Sequence, residues 1–178
     1  DGDADEQHVA ALALRLGVPL ARARADVAAR AAEAGESIEA AARRARYAFL
    51  DEAAAGLTAD RVATGHTADD QAETLVLRLM RGAGLEGLSA VRPRNGIIIR
   101  PLLDARRADI ERYLRDAGVA WRDDASNEDR GIARNRVRHV VMPALKQAGG
   151  DGVVDALART AALIQDDAEQ LSRQAIEM

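Results

Sequence analysis

GHTADDQAETLVLRLMRG, residues 65–82, decides how the rest of the chain is read. Thr67 stands three residues before Asp70, the spacing of a capping box, so a helix is predicted from Ala68 onward. His66 then sits at the helix mouth. Glu73 lies four residues after Asp69 and three after Asp70, so the three acids share the first two turns. Ala72, Val76 and Leu79 make the opposite, buried stripe. Arg78 and Arg81 fall at the end, where positive charge suits the helix dipole. All of this is also what a merely well-made helix needs. The functional reading draws on RVATGH, 61–66, a short strand candidate pointing at the helix. In an open parallel sheet, ligands sit at the carboxyl ends of strands. Acids on that rim could hold an ammonium group or, through water, magnesium.

Working back toward the N-terminus, residues 5–16 read as a helix with Val9, Leu12 and Leu16 on one face, stopped by Gly17. Val18 to Val27 is weakly strand-like. Ser37 caps a helix running to about Ala55, with Ile38, Ala41, Ala45 and Ala48 inward and Gly56 ending it. Helix, strand and helix in that order predict an α/β unit with a parallel sheet.

Working forward, SAVRPRNGIIIRPLL, 89–103, contains Asn95-Gly96, a hairpin signal. Asp104 caps a predicted helix from about Ala105 to Ala117, with Ile110, Tyr113, Leu114 and Ala117 inward, and Gly118 ends it. Residues 121–131 are polar loop. A helix returns over 132–147, bent near Pro143. The tail carries Val154, Leu157, Ala161, Ile164, Ala168, Leu171 and Ala175 in steps of three and four, an amphipathic stripe that needs a partner face. The expected segments are 1–88, 89–150 and 151–178, with breaks near Ala83–Gly87 or after Gly149–Gly150.

Composition excludes several classes. The chain has 178 residues, 2% of them aromatic, so its core rests on small aliphatic side chains. Net charge is -4, so contact with nucleic acid needs a local basic patch. With no cysteine there is no disulfide framework, thiolate zinc site, iron–sulfur cluster or cysteine nucleophile in this chain. That fits a cytoplasmic location, as does the lack of a membrane-length apolar run or secretory signal. The chain opens on DGDADE rather than methionine and reads as a piece of something longer.

Two further groups carry charge. RGIARNRVRH, 130–139, places Arg130, Arg134, Arg136, Arg138 and His139 within ten positions, with Arg134 and Arg138 four apart on one face and Asn135 beside them. Guanidinium groups suit phosphate. The plain alternative is a solvated helix start balanced by Asp123, Asp124, Glu128 and Asp129. Arg92, Arg94, Arg100, Arg106 and Arg107 form a thinner group that could extend a nucleic-acid track, without aromatic stacking platforms. Trp121 reads as a packing anchor, Tyr47 and Phe49 as core, and His8 as an ordinary surface or core-edge histidine.

These stretches, with GESIEAAARRARYAFL (35–50), RPLLDARRADIERYL (100–114) and DDASNEDRGIARNRVRHVVMPAL (123–145), occur in the order of one known family. The chain resembles tRNA(Ile)-lysidine synthetase, of the N-type ATP pyrophosphatase (PP-loop) group. The resemblance implies an adenine-nucleotide alpha-hydrolase-like, Rossmann-like α/β parallel-sheet domain, here incomplete, followed by a helical region. It implies ATP-dependent adenylation of C2 of the wobble cytidine, then attack by the ε-amine of lysine. By matching position, Asp70, Glu73 and Arg138 would be catalytic, and His66, Asp69, Arg134, Asn135 and Arg136 would bind substrate. Arg92, Arg94, Arg106 and Arg107 would face tRNA. Asp70 and Glu73 are also the candidate Mg2+ ligands. Implied partners are tRNA(Ile) with a CAU anticodon, free L-lysine and, as an option, a second copy in a homodimer, with no membrane.

The family's SGGxDS loop is missing from this sequence, as are its C-terminal tRNA-binding domains, and Ala125 stands where proline is usual. The expectation is that this chain alone binds ATP weakly and makes little or no lysidine. The alternatives are a non-catalytic RNA-binding fragment, a purely structural helical domain or another PP-loop tRNA-modifying enzyme. A thiolating relative would ordinarily need cysteines.

Overall fold

The computed structural model of the protein describes residues 2–123, 125–129 and 131–177. Asp124 and Arg130, both named above, lie outside the described residues. The chain divides into two units, Asp1–Val62 and Ala63–Met178.

The first unit is helical. Helix α1 (Gly2–Leu16) ends at Gly17, whose φ of 64° lets the Val18 amide reach back to the Ala13 carbonyl. Its expected apolar face is largely uncovered, since Val9 and Leu16 are exposed and Ala13 is the buried residue. Residues 18–26 form no strand among the described residues, and Val27 instead opens a helix. Asp26 accepts the Ala29 amide and so caps α2 (Val27–Ala34). Alternation built mostly on alanine gave too little side-chain area to hold a strand against this cap. Ser37 caps α3 (Ile38–Gly56) as its position predicts. Ala41 and Ala54 are buried, while Ile38 and Ala48 of the expected stripe are exposed.

Strand β1 (Val62–Ala63) straddles the boundary, and the Thr64 amide just after it donates to Ile99 O at 3.0 Å. Strands β2 (Arg94–Asn95) and β3 (Ile98–Ile99) pair antiparallel, Arg94 with Ile99 and Asn95 with Ile98. The strand order is β1-β3-β2. The hairpin is where Asn95-Gly96 predicts it, one residue displaced. Asn95 pairs in the ladder, and Gly96, at φ 60°, takes the first central position of the turn.

Helix α4 (Ala68–Met80) begins as predicted. Its Ala72, Leu75 and Val76 are buried, but Leu79 is exposed. The short helix α5 (Leu85–Leu88) follows, and Arg78 donates to the Gly87 carbonyl within it. Gln71, buried on α4, pairs its amide with both backbone groups of Val91, which fastens the 89–93 segment to α4.

Helix α6 (Arg107–Asp116) starts two residues later than expected, and Asp104 does not cap it. The cap comes from across the fold: Asp69 on α4 accepts the Arg107 amide at 2.8 Å. Ile110 and Leu114 are half-buried, whereas Tyr113 and Ala117 are exposed. Trp121 is 38% exposed.

A 3-10 turn (Ala125–Glu128) leads to α7 (Ala133–Arg136), a π turn (Val137–Val141) and α8 (Met142–Gly149). The bend expected near Pro143 is this widened turn, in which the Met142 amide reaches back to Val137 O. Proline brings no N–H for the His139 carbonyl, and the π turn takes up the break in the ladder.

Helix α9 (Val153–Glu177) finds its partner face within the same unit, against α4, α5 and α8. Ala72, Val76, Val137, Met142 and Val154 form one core cluster, and Leu75, Ala90 and Ala161 a second. This packing ties α4 and α5 to the tail within the second unit.

Candidate functional site

The site starts from the capping box at the head of α4. Asp70 Oδ2 accepts the Thr67 amide at 2.9 Å and the Thr67 hydroxyl at 2.8 Å. Thr67 Oγ1 in turn accepts the Asp70 amide. One carboxylate oxygen of Asp70 is thereby committed to the helix start. The other, Oδ1, is left facing the arginines.

Three guanidiniums converge there. Arg107 Nη2 and Arg134 Nη2 each lie 3.2 Å from Asp70 Oδ1, and Arg138 Nη2 lies at 3.4 Å. One turn on, Glu73 is 3% exposed and takes the same cations. Arg138 grips it with two bonds, Nε to Oε1 at 2.7 Å and Nη2 to Oε2 at 2.9 Å. Arg134 Nε stands 3.3 Å from Oε2, and Arg107 Nη1 3.8 Å from Oε1. A second, linked group forms around Asp69. Its Oδ2 lies 3.6 Å from Arg106 Nε, and Arg106 Nη1 reaches Asp155 Oδ1 on α9 at 3.1 Å.

Electrostatics follow from this crowding. Burial pushes the Asp70 carboxyl up. The Thr67 amide and hydroxyl, with Arg134 and Arg107, outweigh that push and hold it below the ordinary carboxylate value. Arg138 is held above the usual arginine value, chiefly by its hydrogen bond to Glu73 and against its own desolvation. Asp70 and Glu73 carry two negative charges and face three positive ones, so this inner group is net +1. The linked group of Asp69 and Asp155 with Arg106 is net -1, so the two groups together balance.

Supporting contacts fix the second arm. Arg138 Nη1 reaches Asn127 Oδ1 at 3.3 Å, and His139 Nε2 lies 2.9 Å from Asn127 O. Asn135 is buried and donates to Asp129 O. Arg134 Nη2 lies 3.3 Å from the Asp70 carbonyl, and Thr74 Oγ1 donates to that same oxygen at 2.7 Å.

The structure therefore gathers Asp69, Asp70, Glu73, Arg134 and Arg138 from the sequence expectation. It adds Arg106 and Arg107, named above for the tRNA-facing track, which pair with these acids. Arg100 of that expected track is buried and donates to Arg92 O. Arg92 and Arg94 are exposed. Arg136 is exposed and donates to Gly131 O. His66 is half-buried, with Nδ1 3.0 Å from Thr64 Oγ1. Asn127 and Gln71 were missed, because a single amide in a loop or on a helix carries no spacing signal.

Magnesium does not fit at Asp70 and Glu73. Mg2+ takes six oxygens in near-octahedral geometry. Here the carboxylate oxygens are already taken by guanidinium or Thr67 donors. Among the described residues, no group of three or more His, Cys, Asp or Glu is arranged to hold a metal ion.

Comparison with known proteins identifies the family. The PP-loop domain family matches residues 1–145. The tRNA(Ile)-lysidine synthase of Geobacter sulfurreducens is 47% identical over 173 residues, covering 96% of this chain and 36% of that protein. That of Thermus thermophilus is 42% identical over 96% of this chain and 33% of its own length. That of Leifsonia xyli is 43% identical over 82% of this chain and 44% of its own length. The chain thus spans well under half the length of these relatives. No described helix is long and apolar enough to cross a membrane. With its small α/β sheet, its long helical region and this match over most of its length, the chain belongs to the PP-loop domain family, in its tRNA(Ile)-lysidine synthase group.

Proposed function

We propose that this chain contributes the amine- and phosphate-handling part of a cytoplasmic, lysidine-forming ligase acting on tRNA(Ile). The observation that carries the reading is the meeting of Asp70 and Glu73 with Arg134 and Arg138, from positions 61 to 68 residues apart. In the proposed reaction, the C2 oxygen of the wobble cytidine in a CAU anticodon attacks the α-phosphorus of ATP, and pyrophosphate leaves. The ε-amine of free L-lysine then attacks C2. The C2–O bond breaks, AMP departs, and the nitrogen gives up its protons.

A protonated amine is no nucleophile, so the second step needs a group that binds the ammonium and receives a proton. Asp70 stays ionised at neutral pH and suits the binding role. Glu73, one turn away, is the partner for the proton. Arg134 and Arg138 meet the charge that gathers on the departing phosphate. His66, Asp69, Asn135 and Arg136 border the pocket in this reading, and exposed Arg92 and Arg94 meet the tRNA backbone. No step is routed through magnesium, whose expected ligands are otherwise engaged.

The test is transfer of radiolabelled lysine to a tRNA(Ile) transcript with a CAU anticodon by the full-length protein. ATP-dependent incorporation that is lost in Arg138→Ala supports the reading. No incorporation by the wild-type protein overturns it.

A further inference from the structure

An incoming ammonium would find its carboxylates occupied. Asp70 and Glu73 already face three guanidiniums, and adding a fourth cation would take the inner group from net +1 to net +2. If one guanidinium leaves as the amine enters, the charge stays at +1. Charge conservation therefore favours exchange over addition, and the question is which arginine yields.

The three are not held alike. Arg138 has Nε, Nη1 and Nη2 all engaged, two of them in the paired bond to Glu73, and its side chain is 19% exposed. Arg134 reaches Glu73, Asp70 Oδ1 and the Asp70 carbonyl, with Thr74 Oγ1 at 3.5 Å. Arg107 stands as close to Asp70 as Arg134 does, 3.2 Å, but it is the farthest of the three from Glu73, at 3.8 Å, and its side chain is the most exposed, 36% against 31% for Arg134. Its backbone, by contrast, is pinned, because its amide donates to Asp69 at the first position of α6. The side chain can swing into water while the helix start stays in place.

We propose that Arg107 is a placeholder cation, which holds the Asp70–Glu73 carboxylates until the substrate amine displaces it and thereby sets how tightly that amine binds. This rests on the lysine-transfer reading above. Arg107 is then a specificity-determining residue. It keeps the acids charged and ordered between turnovers, and it makes any entering cation compete for them. Once displaced, its guanidinium is free to meet a phosphate.

The experiment is the lysine KM of the full-length protein, at saturating ATP and tRNA, for wild type, Arg107→Gln and Arg107→Lys. Lysine binding by calorimetry without tRNA is measured alongside. Arg107→Gln should lower KM and the calorimetric Kd by about two- to five-fold, the scale of a partly exposed ion pair. Arg107→Lys, which restores a cation, should return both toward wild type. Should Arg107→Gln fail to fold, Arg107→Met keeps the packing stem and carries the same expectation. A merely structural role would move KM the other way, so an unchanged or raised KM in an active, folded variant overturns the placeholder. A wild-type protein that transfers no lysine would instead sink the reading beneath it.

Discussion

Glu73 and Arg138 face each other through two near-parallel hydrogen bonds, from helices separated by 65 positions of sequence. The acid is almost wholly buried and so has no water to fall back on, while the base is half-buried. Paired geometry of this kind is the strong form of a charge-assisted bond. It locks the π turn to α4, and it makes the site part of the scaffold.

Replacing Glu73 by Gln should therefore destabilise the chain. It leaves three guanidiniums facing the single charge of Asp70. Losing one partner of a buried pair costs about 3 kcal/mol or more. Urea unfolding followed by circular dichroism measures this. The double variant Glu73→Gln/Arg138→Met should recover part of the loss, and strict additivity would contradict the coupling.

Thr67→Ala should cost about 1 kcal/mol, the usual value of a lost N-cap, while Thr67→Ser should be close to neutral. The alanine variant also removes a hydroxyl donor from Asp70 Oδ2. The Asp70 carboxyl should then titrate higher than in wild type, nearer its ordinary value. An NMR titration of the carboxyl carbon reads both variants.

Acid should unfold the second unit through Asp70. Its folded pKa lies below the unfolded value of about 3.8. Lowered folded affinity for protons means that the stabilisation is complete above the unfolded value. It is lost as pH falls below that and through the folded pKa. Stability measured from pH 7 down to pH 2 should show this decline in the acid range, and Asp70→Asn should flatten it. A variant as acid-sensitive as wild type would contradict the assignment.

Arg138→Lys keeps the charge and loses the planar fork that grips Glu73 while still reaching Asn127. Lysine transfer by the full-length protein should fall by about a hundred-fold, the scale of losing one preorganised donor to developing charge. Single-turnover rates with bound tRNA should carry most of that fall.

Much of this arrangement was legible from spacing, because its cause is local. Thr67 three residues before Asp70 fixes a helix start with no help from the rest of the fold. Ser37 and Gly118 work in the same way, and so does Gly96 with its positive φ. What spacing missed was set by distant groups. Asp104 was the local candidate to cap α6, but Asp69 from another helix does so, and nothing near residue 107 announces it. Arg106 and Arg107 read as surface charge until the fold sets acids opposite them. The strand expected over 18–27 failed because alanine alternation is weak and Asp26 offers a competing helix cap. Asp70, Glu73, Arg134 and Arg138 were each legible as residues. That the four share one cluster needed the fold.

The widened turn at Val137–Val141 amounts to one residue spliced into an otherwise regular rod. Each residue in a helix turns it by about 100°. The splice therefore offsets Arg134 and Arg138, which look toward the acids, from Met142, which looks into the apolar interior. Excising exposed Val140 would rotate its two halves out of register while leaving Pro143 to break the ladder. A shortened protein of that kind should melt lower, because turning the arginines away leaves Glu73 buried without its partners. The irregularity is thus the phase adjuster that lets a single rod serve both the apolar interior and the acids of α4.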